Sequence, residues 1–388
     1  MPASVTFAAE PAVRTFSSSD PPSAVGGVRR PVAPMPAEQI CTPPAPRAAP
    51  APRAARAAPF AVPRPFPLAN SGASCYMNAL LQALASCRGF VEAAATAAAA
   101  GAPLTATGAA LREFAARCQA PGAPATDSAA RVLSAVLADR ARLGYPPGAF
   151  GPGQQSASEA LTFAVGLADA ADAPGSAPWA SRVPPVAPGP IAAAFAFRFD
   201  ARRDCRRCGA RGTMPAPAGV VLPAFGAAWR DSDTAARFAA VVAADGAPGG
   251  EPAPGFVCEG CGVAGATAVT RRLRRAPPVL VLAFNQYGDK FAPAFPPAFS
   301  LPRRDGGALV YRAAAQVVHQ GGLGGGHYWA IARRASAPGG AESVFVLNDG
   351  YVGAAPEFAT TYAGAPPGIV GLRPALGAYL VMFCLDCE

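Results

Sequence analysis

The chain has 388 residues, a mass of 38.9 kDa and a formal net charge of +9, room for roughly two or three structural units and for a core that can support an enzyme. Hydrophobic residues make up 51%, charged residues only 15%, with 45 prolines and 41 glycines, and the mean hydropathy of +0.23 comes mostly from alanine. The most apolar stretch, around Ala93 to Ala100, is far shorter than the roughly 18 to 20 residues of a spanning helix, so no membrane segment is expected and the chain reads as soluble.

No basic start followed by an apolar core marks a secretory leader. Lys290 is the single lysine, and the excess of Ala, Pro, Gly and Arg fits GC-rich coding. Residues 1–61 are rich in Ala, Pro, Ser and Arg without apolar periodicity, and are predicted to be a disordered tail, because they cannot bury enough surface to offset chain entropy. The remainder, 62–388, is predicted to be the folded domain. Helices are expected from near Cys75, where Met77, Leu80, Leu81 and Leu84 share a face, then at Ala109 to Cys118, Arg131 to Leu143 and Ser156 to Ala168. A Pro/Ala/Ser-rich loop is expected between Asp169 and Gly189. Beyond it the period changes to two. Phe195, Phe197 and Phe199 alternate as in a strand, Val279 to Phe284 reads as a buried strand, and Tyr311–His319, Tyr328–Arg333, Ser343–Asn348 and Ala378–Phe383 follow. Helices first and strands later predict an α+β fold.

Ten cysteines without a leader point to metal-binding or reactive thiols, not to disulfides. Cys75 stands at a helix start, where free N–H groups and the helix dipole favour a thiolate. Asn70, across a turn containing Gly72, can fold its amide toward that sulfur as an oxyanion donor. Of the two histidines, His327 follows the glycine-dense run Gly321 to Gly326 and heads a strand. If that strand and Ser343–Asn348 form a hairpin turning at Ala337-Pro338, His327 faces Asn348 directly; a slip of one position would substitute Asp349. Which of the two orients the imidazole is left open by the sequence.

The run Leu68-Ala69-Asn70-Ser71-Gly72-Ala73-Ser74-Cys75-Tyr76-Met77-Asn78-Ala79-Leu80-Leu81-Gln82 resembles the cysteine box of the ubiquitin-specific protease family of deubiquitinases. Tyr311 through His319, Gly321 and Gly326-His327-Tyr328-Trp329-Ala330 resemble its histidine box, Leu347-Asn348-Asp349 the segment of the third catalytic residue, and Gln154-Gln155-Ser156-Ala157-Ser158-Glu159 its glutamine box. The resemblance spans about residues 66 to 383 in family order. It implies a papain-like cysteine protease fold with a helical thumb, a β palm and a zinc-ribbon fingers insertion at about 196–275. It implies hydrolysis after the C-terminal glycine of ubiquitin, with Cys75 as nucleophile, His327 as base, Asn348 as orienting residue, Asn70 as oxyanion donor and Asp349 as second candidate. Substrate contacts fall to Gln154, Gln155, Glu159 and Tyr328, and His319 is structural. Ser156 replaces a usual aspartate of the glutamine box, so affinity for ubiquitin is expected to be reduced or the modifier to differ.

Cys205-Arg206-Arg207-Cys208-Gly209 and Cys258-Glu259-Gly260-Cys261-Gly262 are two zinc-knuckle halves, and four thiolates would close a structural zinc shell. Cys384 and Cys387 share the spacing without a partner pair. Arginines crowd both knuckles, but without interleaved aromatics nucleic acid is not the expected partner. The expected partners are ubiquitin and ubiquitinated proteins, with a monomer in the cytoplasm or nucleus. The rivals are a catalytically weak ubiquitin-binding scaffold and a protease for a ubiquitin-like modifier. The glycine run before His327 is expected to be a mobile gate.

Overall fold

The computed structural model describes residues 63–99, 105–120, 126–145, 150–151, 153–169, 189–214, 218–223, 251–253, 255–284, 286, 290–302, 308–322, 325–335, 341–362 and 369–386. The tail expected over 1–61, most of the loop expected between Asp169 and Gly189, the turn at Ala337-Pro338 and Cys387 lie outside them. Among the described residues, six helices precede the main strands: α1 (Cys75–Ala85), α2 (Arg88–Ala99), α3 (Ala106–Gln119), α4 (Ser128–Arg142), α5 (Ala157–Ala168) and α6 (Pro190–Phe195). None of the described helices is long and apolar enough to cross a membrane.

All eleven residues of α1 are buried, the mark of a helix enclosed on every side. One side lies against the sheet and the others against α2, α4 and α5. Helix starts follow the capping chemistry: Thr105 accepts from Gly108 N–H, Ser156 from Glu159 N–H, and Pro190 opens α6. Helix α2 carries no apolar stripe that distinguishes it from an alanine-rich linker, and it was not expected. Phe195, expected on a strand, closes α6 instead.

The palm is a sheet ordered β12-β11-β10-β9-β15-β7-β4, with β8 also on β9. Its strands are β4 (Leu222–Pro223), β7 (Val279–Ala283), β8 (Ala298–Pro302), β9 (Ala308–Gly322), β10 (Gly325–Ala335), β11 (Glu342–Asn348), β12 (Tyr351–Ala354) and β15 (Ala378–Leu385). Two-residue periodicity sorts the strands' side chains between two cores. Val279, Val281 and Ala283 join the helices, whereas Leu280, Leu282 and Phe284 join Phe295, Tyr311 and Phe383 on the other face. A second sheet, β2-β1-β6-β5, is built from β1 (Phe197–Cys205), β2 (Arg211–Met214), β5 (Glu251–Pro252) and β6 (Thr267–Arg275), with β3 (Ala218–Gly219) on β1. The short pair β13 (Ala359–Thr360) and β14 (Gly371–Leu372) completes the fold.

The β10–β11 register puts Ala330 opposite Leu347, two positions from the expected pairing. A shift of two keeps every side chain on its face, whereas a shift of one would have turned His327 away. The glycine run is also not an open loop. Gly322 pairs with Gly325 and Gly321 with Gly326, so β9 and β10 continue as a hairpin to either side of residues 323–324. A Cβ on Gly326 would lie 2.3 Å from Gln320 O, and one on Gly321 2.5 Å from Gly325 O, so glycine is needed there for close packing rather than for looseness.

Helix α1 is tied to β10 by Arg334, which is fully buried. Its guanidinium donates to Gln82 O at 2.6 Å, Gln82 Oε1 at 3.0 Å and Ser86 Oγ, and stands 5.6 Å from the Phe66 ring centre. These acceptors lie at the carbonyl end of α1, where the helix dipole favours a cation. Burial lowers the Arg334 pKa to about 10, which leaves it charged at neutral pH. The helix that presents Cys75 and the strand that presents His327 are therefore joined rigidly at their far ends.

Candidate active site

The segment before α1 is held by backbone bonds: Leu68 N–H donates to Asp349 O at 2.9 Å and Ala69 N–H to Thr126 O at 2.7 Å. Gly72 makes the turn with φ +105°, which an L side chain rarely adopts. Ser74 sits at the N-cap, but its hydroxyl accepts from Ser71 N–H at 3.0 Å and donates to Asn70 Oδ1 at 3.1 Å, leaving the helix N–H groups uncapped. Cys75 follows at 4% exposure.

The sulfur is approached by the N–H groups of Tyr328, Tyr76 and Cys75 and, at 3.9 Å, by Gln154 Nε2. Burial raises the Cys75 thiol above its ordinary range, Asp349 adds to the rise, and these backbone donors only partly offset it. The thiolate expected from the helix start is thus overruled by desolvation in the resting site. Alkylation of Cys75 by iodoacetamide should accordingly follow a titration displaced to the alkaline side of an ordinary thiol. Asp349→Asn should move it downward, because a neighbouring negative charge is removed. An unmoved profile in that variant would dismiss the role given to the carboxylate.

His327, half-buried on β10 opposite Gln320, sets its Nε2 2.6 Å from Asn348 Oδ1 across the adjacent strand. An amide oxygen only accepts, so Nε2 carries a proton, and in the neutral ring the lone pair is on Nδ1. Asp349 Oδ2 is farther, at 3.9 Å from the same nitrogen. Asn348, not Asp349, holds the imidazole, and the Trp329 ring stacks beside it, with centres 6.2 Å apart and 24° between planes. Asp349 turns to other partners: its Oδ2 accepts from Asn70 Nδ2 at 2.9 Å and its Oδ1 from Asn78 Nδ2 at 2.6 Å. Asn78 was not singled out in the sequence, where it is one more position in an apolar helix.

Gln154 donates to Gly326 O at 2.6 Å and accepts from Gly326 N–H at 3.4 Å, fastening the glycine hairpin beside the sulfur. Gln155 is half-buried and Glu159 exposed on the first turn of α5. Ser156, in the usual aspartate's place, caps α5 and shares hydrogen bonds with Ser158 Oγ at 2.7 Å and Tyr379 OH at 2.8 Å. Tyr328, expected to contact substrate, has its ring turned into the core. The ring is 2% exposed, packed between His319 at 4.4 Å and Tyr379 at 5.4 Å, because neighbours along a strand face opposite ways and His327 takes the open face. Only its N–H serves the site. His319 is buried 3.1 Å from Lys290 Nζ, and burial with that cation lowers its pKa, so it is a neutral structural residue.

Far along the chain, β1 and β6 pair Cys205 with Thr267 and bring the two knuckles together. Each knuckle repeats the same bonds: Gly209 N–H to Cys205 O at 2.9 Å and Gly262 N–H to Cys258 O at 2.8 Å, with both glycines at φ near +70° (+72° and +69°). The sulfurs of Cys205, Cys208, Cys258 and Cys261 lie within 4.8 Å of one another, the only such group of potential metal ligands among the described residues. Cys205 and Cys261 stand 3.8 Å apart, Cys208 and Cys258 3.7 Å. The edge of a tetrahedron of sulfurs at about 2.3 Å from a central zinc is about 3.8 Å, so the donor set fits that ion. The N–H groups of Cys208 and Arg207 pull the Cys205 thiol down to about 6, toward the thiolate that a metal requires.

Comparison with known proteins agrees with this geometry. No curated protein matches the chain. The folds of solved SAGA DUB modules are similar: Ubp8/Sgf11/Sus1/Sgf73 bound to monoubiquitin gives a TM-score of 0.57 at 15% identity, over 83% of this chain and 69% of that one. The module bound to ubiquitin aldehyde gives 0.55 at 17%, over 83% and 70%, and a yeast module with an Sgf73 mutant gives 0.56 at 15%, over 83% and 68%. At such identities the likeness is one of fold. The family model of ubiquitin carboxyl-terminal hydrolases, however, matches residues 66–354, which begins just before the Cys75 segment and ends just after the Asn348 strand. With the nucleophile's helix and the histidine hairpin both inside that match, the chain belongs to the ubiquitin carboxyl-terminal hydrolase family and is a cysteine-type hydrolase with a papain-like fold.

Proposed function

We propose that Cys75, His327 and Asn348 hydrolyse the peptide or isopeptide bond after the C-terminal glycine of ubiquitin. One observation carries the assignment of roles: Asn348 fixes the proton on His327 Nε2, while the N–H of the very next residue, Tyr328, is directed at the Cys75 sulfur. The free Nδ1 takes the thiol proton as the sulfur attacks the glycine carbonyl. The oxyanion of the tetrahedral adduct is met by the Asn70 amide. Its collapse passes the proton to the leaving amine and leaves a thioester, and water activated by His327 then releases ubiquitin and restores the thiol. Gln154, Gly325 and Gly326 line the approach, where the absence of side chains suits a narrow peptide tail. Ubiquitin in two of the similar structures supports it as the modifier.

Zinc is the proposed metal of the four-cysteine cluster. Four thiolates fill its shell, so it would stabilise the β1–β6 sheet and leave no position for a reacting water. The parent chain should release a fluorophore from the C-terminal amide of ubiquitin. A folded chain that binds ubiquitin and releases none would overturn the assignment.

A further inference from the structure

We infer that Asn78 is a positioning residue for the oxyanion donor, acting on Asn70 through Asp349. The inference rests on the thiol-hydrolase reading above and assigns a task to a side chain that touches neither substrate nor the reacting sulfur.

Asn78 lies one turn after Cys75 on α1, 1% exposed, among residues that are otherwise suited to an apolar core. A buried amide is costly unless its bonds are good. Here they are uneven. Nδ2 donates to Asp349 Oδ1 at 2.6 Å and to Ala69 O at 3.2 Å, while Oδ1 is buried with no hydrogen-bond partner. A side chain kept for stability alone would be better replaced by an apolar one of similar size. The bond that is short is the one to a carboxylate, where charge strengthens it.

Asp349 is suited to relay that bond. It is the first residue of the two-residue turn Asp349-Gly350 between β11 and β12, and the only non-glycine among the described residues with positive φ, at +51°. Hairpin twist favours such a backbone in two-residue turns, though an L side chain adopts it at some strain. In this conformation its two oxygens face different partners, Oδ1 to Asn78 and Oδ2 to Asn70. Its backbone oxygen also accepts from Leu68 N–H, so the turn grips the same segment that carries Asn70.

At the other end of the chain of bonds, the acceptor-only Asp349 Oδ2 settles which end of the Asn70 amide is nitrogen, and Ser74 Oγ donates to the other end, Oδ1. Asp349 then takes one of the two Nδ2 hydrogens. The second remains for the oxyanion, with its direction set by the first. Without Asn78 the carboxylate keeps one fewer anchor, swings on its turn, and the amide it holds loses aim. Ground-state binding of ubiquitin does not depend on that aim, but the tetrahedral adduct does.

The test is a double-mutant cycle on the full chain with ubiquitin C-terminal amide. Asn78→Ala should lower kcat about tenfold with KM unchanged, less than the roughly 100- to 1,000-fold loss typical when a donor itself is removed. In an Asn70→Ala background, Asn78→Ala should cost almost nothing more, because the donor it aims is gone. Affinity for ubiquitin aldehyde, which forms a tetrahedral hemithioacetal with the sulfur, should fall in parallel with kcat, while affinity for free ubiquitin stays. Should Asn78→Ala fail to fold, Asp349→Gly reads the same link, since glycine keeps the positive φ. Losses that multiply independently in the double variants, or a fall confined to KM or to thermal stability, would overturn the inference while the hydrolase reading stands. A parent chain with no turnover overturns both.

Discussion

Replacing Cys75 with alanine is expected to reduce turnover of the ubiquitin amide by about 10,000-fold or more while leaving ubiquitin affinity intact. The expectation follows from covalent catalysis: without the sulfur no thioester forms, and the remaining donors only bind and polarise the carbonyl. The neighbouring Ser74 does not stand in for it, since its Oγ is turned back onto Asn70 and Ser71. Asn348→Ala should cost less, about a hundredfold in kcat. It removes the 2.6 Å bond that holds Nε2, but Asp349 lies 3.9 Å from that nitrogen and can take it as the ring turns. That rescue carries a penalty, because Asp349 would release Asn70 or Asn78 to make it. Single-turnover rates at saturating substrate, with ubiquitin binding measured separately, give both losses. Comparable turnover by parent and Cys75→Ala would remove the nucleophile's role outright, and an Asn348→Ala loss as large as that of Cys75→Ala would remove the substitute role given to Asp349.

The parts of the fold that were legible in the sequence are those whose signal is local. Helix α1, the buried strand Val279–Ala283 and the CxxC-Gly knuckles are written in spacing, and the structure places them where the spacing does. The pairing of His327 with Asn348 was reached through a register that is two positions off, yet the pair forms. Strand periodicity tolerates even shifts, and a diagonal neighbour is still within side-chain reach. What was not legible depends on residues far apart in the chain. The protonation of Cys75 is decided by burial and by a carboxylate at position 349, not by the helix start alone. Asn78 is one position of an apolar helix until Asp349 is folded against it, and the acceptors of Arg334 come from the end of α1, some 250 positions earlier in the chain. The Tyr328 ring is buried for a simpler reason: beside His327 on a strand, the neighbouring side chain faces the other way.

Removing the metal, or one ligand by Cys258→Ser, should unfold the outer half of the β1–β6 sheet while the palm stays intact. Beyond Phe197 and Phe199, which pack with the palm core, the side chains of the sheet and its knuckles that are described as buried are those of Ala201, Cys205, Cys258, Thr267, Ala268 and Val269. Such small side chains contribute too little transfer free energy to offset the entropy of ordering the strands, at about 1–2 kcal/mol of backbone entropy per residue. The pair β5–β6 has only two matched positions. The zinc proposed for the cluster would supply the balance, since a structural zinc with four thiolates gives on the order of 10 kcal/mol at neutral pH. The thiolates are lost as pH falls, so release should also follow acidification. Hydrogen exchange in the parent with and without chelator, and in Cys258→Ser, should reveal loss of protection in β2, β5 and β6 with β7, β9 and β15 unchanged. Because α1 and β10 are joined through Arg334 and not through this sheet, Cys75 alkylation should proceed at the parent rate even as ubiquitin affinity drops. Retained protection around Val269 in the metal-free chain would mean that the sheet holds itself and that the four sulfurs have another purpose.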